Sequence, residues 1–171
     1  RMSDVEGSIV FARESVNARV SGSIEDLPYR VNLRYDGVDV DSPFRAEIAS
    51  KDFLVSRNPE LLLFAPPSVR YYLKSFLMPT GLLTTNVTVV RGPPTPDTSG
   101  VRQPGPITVS GSIDFREGTA AYESFPYEFS DMAGRFEFDN DQINIVNITG
   151  RSRTGAKLHA RGRIAPLDES S

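Results

Sequence analysis

One histidine, His159, and no cysteine set the first limit on the chemistry available to these 171 residues. Disulfides and thiolate chemistry are excluded, and the common zinc sites cannot be assembled. A Ser-His-Asp mechanism would have to use His159, yet it stands between Lys157 and Arg161 in an alternating run, and no Gly-x-Ser-x-Gly turn accompanies it. It reads as an exposed surface residue. Carboxylates are the remaining candidates. Asp114, Glu117, Glu123, Glu128 and Asp131 crowd one region, and paired acids are what a glycosidase needs. They read instead as decoration of strand ends and turns. Asp139-Asn140-Asp141 opens like a calcium loop, but Gly150 stands where the bidentate Glu would sit, so a hairpin turn is expected. Asp36, Asp39 and Asp41 read likewise as turn and solvent-face residues. Asn86-Val87-Thr88 and Asn147-Ile148-Thr149 match the glycosylation sequon, which has meaning only in a eukaryotic secretory protein. No catalytic, cofactor-binding or metal-binding residue is assigned, no cofactor is expected, and the reading is non-enzymatic.

The charge balance narrows the partners. A formal net charge of −3 lacks the clustered basic surface of a nucleic-acid binder. The one basic run, Lys157, His159, Arg161 and Arg163, reads as the wet side of a strand paired with acids such as Glu137; attraction to anionic head groups is the functional alternative. With 39% hydrophobic and 24% charged residues, the composition is neither disordered nor that of a membrane span. The longest apolar run, Leu61 to Pro67, falls far short of the roughly 20 residues that cross a bilayer. The first residues lack the apolar core of a signal peptide, and the chain reads as a piece of a longer parent whose anchor or export signal lies elsewhere.

What positions these side chains is a series of strands. From Pro106 to Pro166, four runs alternate apolar and polar residues: 107–115, 134–138, 142–145 and 157–164. A period of two denotes half-buried strands, and turn residues in the gaps make them one antiparallel meander. Its apolar side would carry Ile107, Val109, Ile113, Phe115, Phe136, Phe138, Ile143, Ile145, Leu158 and Ile164. Residues 1–57 form a first β unit, with a hairpin turn at Asp36-Gly37 followed by a strand at Val38-Asp39-Val40. A helical insert is expected over 58–79: Asn58-Pro59 and Pro67 are helix starts, Val69, Tyr72, Leu73 and Phe76 form a stripe, and Pro79 and Gly81 stop it. Residues 80–165 form a second β unit containing a Pro-rich loop at 91–106, expected to be mobile or to act as a flap, and 166–171 form a tail. Val20 to Glu25 echo Val109 to Asp114, and Leu27-Pro28-Tyr29 echo Phe125-Pro126-Tyr127, a hint of a repeated β unit.

The succession Leu63 to Gly81, a strand, a Pro-rich loop, then Gly118 to Tyr127 with Phe125-Pro126-Tyr127, Asp131 to Phe138, Ile143 to Gly150 and Gly155 to Ile164 resembles the repeating segment of the AsmA-like family. The resemblance covers roughly residues 64–165, and residues 5–50 match a preceding repeat. It implies a mainly β fold, a curled antiparallel sheet forming a trough, half-barrel or taco-like shape with a short helical insert. It also implies a parent anchored in the inner membrane and extending through the periplasm of a bacterial cell envelope. Phospholipid transport or outer-membrane assembly is the implied role, and the family carries no catalytic residues. The partners expected are lipid acyl chains against the ten residues named above, adjacent repeats of the parent chain, and self-association at open sheet edges. The alternative is a structural β-sandwich, a scaffold or adhesion module whose two sheets bury each other.

Overall fold

The computed structural model describes residues 2–24, 27–37, 39–54, 76–122 and 125–165. The chain is mainly β. The strands are β1 (Met2–Ala12), β2 (Ser15–Ile24), β3 (Leu27–Tyr35), β4 (Phe44–Leu54), β5 (Phe76–Arg91), β6 (Thr95–Pro96), β7 (Arg102–Gln103), β8 (Ile107–Tyr122), β9 (Phe125–Phe138), β10 (Ile143–Ser152) and β11 (Lys157–Ile164). Nine of them form one sheet in the order β1-β2-β3-β4-β5-β8-β9-β10-β11, and β6 pairs with β7 in a small separate ladder. Neighbours whose register is defined run antiparallel. Sequence neighbours are therefore spatial neighbours, as expected when short turns join strands. β1 and β11 stand at the two ends of the order.

Two compact units divide this order, one made of residues 1–51 and 86–110, the other of 52–85 and 111–171. They interleave in sequence because β5 and β8, each 16 residues long, run through both. The consecutive blocks 1–57 and 80–165 expected above follow a different division.

In the first unit, register sorts the side chains by face. Val20 lies opposite Val31, which lies opposite Ile48, and Ala18, Leu33 and Ala46 form the next row. The other face carries Asn17 opposite Arg34 and Arg19 opposite Asn32. The connection between β3 and β4 is longer than a two-residue hairpin. Asp39 and Val40 lie in a turn rather than the expected strand, and Val38 is outside the described residues. The loop is closed by Asp36 N to Pro43 O (2.9 Å) and Ser42 N to Asp39 O (3.0 Å), with buried Ser42 accepting from Asp39 N at 3.1 Å. Arg91 at the end of β5 then clamps it. Its Nη1 donates to the Val40 carbonyl at 2.6 Å while the guanidinium lies 5.0 Å from the centre of the Phe44 ring, itself stacked on Tyr35 at 5.4 Å.

Two expectations need correction, and a third segment has a defined structure. No helix occurs among the described residues. Most of the expected insert, 58–75 with Val69, Tyr72 and Leu73, lies outside them, but Phe76 to Pro79 belong to β5. Gly81 does not stop a helix. It lies in β5 with φ of +121°, and a Cβ there would stand 2.8 Å from Gly118 Cα, so glycine permits the close approach of β5 and β8. The Pro-rich segment is a built hairpin. Gly92 N donates to Pro106 O at 3.0 Å, and the Asp97 carboxylate accepts from Ser99 Oγ (2.6 Å), Ser99 N (2.9 Å), Val101 N (3.0 Å) and Gln103 Nε2 (3.0 Å). Backbone bonds from Asp97 N to Val101 O (2.9 Å) and from Gly100 N to Asp97 O (3.0 Å) close the tip beside that carboxylate.

Arg91→Ala removes a charged hydrogen bond and a ring contact together, and urea unfolding is expected to show a loss of about 1–3 kcal/mol; unchanged stability would refute the clamp. Hydrogen bonds led by the Ser99 hydroxyl and the Gln103 amide hold the Asp97 carboxyl down to about 2 from its ordinary 3.8. A depressed carboxylate stabilises the fold above its unfolded value and stops doing so as pH falls through the folded value. The amide resonances of Ser99 and Val101 are therefore expected to titrate together as pH falls from about 4 towards 2, and to lose that response in Asp97→Ala.

Candidate functional site

Strand register places eight of the ten apolar candidates, Ile113, Phe115, Phe136, Phe138, Ile143, Ile145, Leu158 and Ile164, on one face. Directly paired residues in a ladder project to the same side. In β8, Ile107, Val109, Ile113 and Phe115 alternate with polar residues. Ile113 pairs with Phe136 and Gly111 with Phe138; Phe136 and Phe138 pair in turn with Ile145 and Ile143; Ile143 pairs with Ile164, and Gly150 with Leu158. The Phe115 and Phe136 rings stack at 5.5 Å. Phe138 and Ile143 are buried, the other eight are half-buried or exposed, and Ile107 keeps 48% of its surface.

The apolar phase breaks along strands so long, and register shifts follow it, three of them bulges beside this face. Arg116 and Glu117 stand against one residue of β9, Met132 and Asp131 against one of β10, and Val146 and Asn147 against Arg135. Glu117 and Asp131 take the positive φ of such positions, 55° and 50°. As a result Ile148 pairs with Gly134 and joins the apolar face, and Phe129 pairs with Ala120. Met132 and Ile148, each 6% exposed, belong to the small buried core with Phe138 and Ile143, and alternation alone did not reveal them. The signal available was the broken phase in Ile143-Asn144-Ile145-Val146-Asn147-Ile148, where apolar positions skip by three. Glycines make room between the large side chains. A Cβ on Gly118 or Gly150 would come within 3.2 or 3.0 Å of the Met132 side chain.

The reverse face is polar and ion-paired. Arg135 Nη1 reaches both Asp114 oxygens at 2.9 and 3.1 Å, and its Nε bonds Glu137 at 2.9 Å. These two carboxylates, Glu137 first, hold the guanidinium charged and raise its pKa. Arg116 similarly bridges Asp52 (3.0 Å) and Glu117 (2.7 Å), with Asp52 the main cause of its raised pKa.

Arginines engage part of the acidic cluster. Asp114 and Glu117 are engaged by arginines, Asp131 sits at a bulge, Glu128 is exposed, and Glu123 lies outside the described residues. Asp139 is occupied by its own turn, accepting from Asp141 N at 2.9 Å, Gln142 N at 3.0 Å and Gln142 Nε2 at 3.1 Å, which also lower its pKa. It closes a hairpin, as expected. His159 is exposed on the polar side of β11, opposite Thr149. No group of three or more potential metal ligands occurs among the described residues. A cleft of about 1140 Å³ lies among the turns of the first unit, lined by Arg13, Glu14, Arg34, Asp36, Asp39 and Arg102 among others, and none of the ten apolar candidates lines it.

No family model, curated protein or solved structure matches the chain.

The face has an internal control. A Cβ on Gly134 would collide with the Asn147 carbonyl oxygen and come 2.9 Å from Phe115 Cε1, whereas one on Gly162 meets nothing within 4 Å. Gly134→Ala is expected to cost about 1–3 kcal/mol in chemical unfolding, and Gly162→Ala to stay within about 0.5 kcal/mol of the parent protein. Equal effects at the two sites would contradict the register.

Proposed function

We propose that the apolar face of β8 to β11 binds or conducts lipid acyl chains, as a non-enzymatic segment of a larger AsmA-like cell-envelope protein serving phospholipid transport or outer-membrane assembly. The parent would be anchored in the inner membrane and reach through the periplasm, with an adjacent repeat of the parent chain continuing the sheet beside β1. The observation that supports this most is the collection of eight apolar residues from four consecutive strands on one side, six of them retaining exposed surface. An apolar face of this extent needs a covering partner. Acyl chains suit it because each buried methylene contributes about 0.8 kcal/mol, and the ladder leaves few unpaired backbone groups to repel hydrocarbon. The proposal needs a one-sided apolar wall and does not require a closed or deeply curled one.

A structural sandwich draws less support. It calls for two substantial sheets facing each other, and here nine strands share one hydrogen-bonded order beside a two-stranded ladder of two residues each.

A neutral fluorescent diacylglycerol tests the proposal. Phe136→Glu and Ile145→Glu place a charge on the wall and are expected to weaken probe binding by about tenfold or more, with the far-ultraviolet circular dichroism unchanged. Undiminished binding in both variants, or no binding by the parent protein, would contradict it.

A further inference from the structure

The basic run on β11 has no acidic partner. Lys157, His159, Arg161 and Arg163 share the polar side of the strand, with Arg151 opposite Lys157 and Arg153 in the turn between β10 and β11. All six are exposed. Among the described residues none of them enters an ion pair, whereas Arg34, Arg45, Arg116 and Arg135 each hold a carboxylate. Glu137, the acid expected to neutralise this run, bonds Arg135 on its own strand instead. Asp131, in the bulge opposite Gly150, forms no ion pair either. Arg19 and Arg30 elsewhere also lack an acid, but on β11 three cations, Lys157, Arg161 and Arg163, share one side of an eight-residue strand.

Position adds meaning to this charge. β11 ends the strand order, and its other side carries Leu158 and Ile164, the last members of the apolar face. An edge strand is one strand spacing wide, about 4.8 Å, and arginine and lysine stems are long enough to snorkel across that distance. Cations and hydrocarbon wall therefore meet along one edge.

We propose that this edge is a headgroup site for anionic phospholipid, the phosphate lying against Lys157, Arg161, Arg163 and Arg151 while the acyl chains lie on the adjoining apolar face. It rests on the acyl-chain reading above and adds to it a choice among lipids. Nucleic acid fits less well. The basic side of β11 offers no aromatic ring for base stacking, and a long polyanion would meet a chain of net charge −3. A lipid phosphate needs only a local patch, because screening confines the attraction to about 10 Å.

Two labelled lipids with identical acyl chains, phosphatidylglycerol and phosphatidylcholine, test the proposal on the full chain. The parent protein is expected to prefer phosphatidylglycerol by about tenfold at low salt, a preference that shrinks as salt rises. The combined Lys157→Gln, Arg161→Gln and Arg163→Gln variant is expected to abolish the preference by weakening phosphatidylglycerol far more than phosphatidylcholine, and Phe136→Glu to weaken both lipids. Equal affinities in the parent protein, or a preference that survives the triple variant, would overturn the headgroup site and leave the acyl-chain reading standing. Failure to bind either lipid would overturn both. Displacement of the labelled phosphatidylglycerol by a single-stranded oligonucleotide or an acidic peptide at equal concentration would assign the edge to that partner instead.

Discussion

Antiparallel register is the constraint on which everything else in this chain depends. Because side chains alternate sides with a period of two, a slip of one residue would move the whole apolar set of a strand to the wet side. Holding Ile113, Phe136 and Ile145 in one row, and Phe138 beside Ile143, requires the pairing of three strands to agree at once. The three bulges at Glu117, Asp131 and Val146 follow breaks in the apolar phase along strands of up to 16 residues. Two of them place an acidic residue in the left-handed region, where short polar side chains are tolerated better than branched ones.

This constraint explains an unusual distribution of burial. No large side chain among the described residues is completely enclosed, and the buried hydrophobic core amounts to Met132, Phe138, Ile143 and Ile148. Stability must then come largely from backbone ladders, cross-strand pairs and partial burial. The ion pairs of the polar side add little, since the side chains of Arg135 and Asp114 remain 41% and 43% exposed. Their role is better described as orientation, keeping Asp114, Arg135 and Glu137 on the side opposite the Phe115 and Phe136 rings. The result is a sheet whose two sides differ sharply in chemistry while sharing every strand.

Much of this was legible in the residues. Alternation identified the strands around 107–115, 134–138, 142–145 and 157–164, and their apolar members from Ile113 to Ile164 do share a face. Asp139 announced its hairpin correctly. Other features depended on partners distant in sequence. Gly81 resembled a helix stop because its reason for being glycine is Gly118 on another strand. The segment 91–106 looked irregular because a single carboxylate, Asp97, organises it, and nothing in the spacing of prolines reveals that. Arg91 reaches the Val40 carbonyl some fifty residues away. Met132 and Ile148 were hidden by bulges, which shift the phase that pattern reading relies on. The repeated Leu27-Pro28-Tyr29 and Phe125-Pro126-Tyr127 do begin strands, β3 and β9, but the strands before them differ in length.

The central claim is that a hydrocarbon partner completes the apolar face. Native mass spectrometry of the purified chain, released gently from solution, measures this most directly. The account predicts adducts with the masses of phospholipids that are lost when Phe136 carries a charge. A bare polypeptide mass under conditions that preserve other lipid complexes would contradict it.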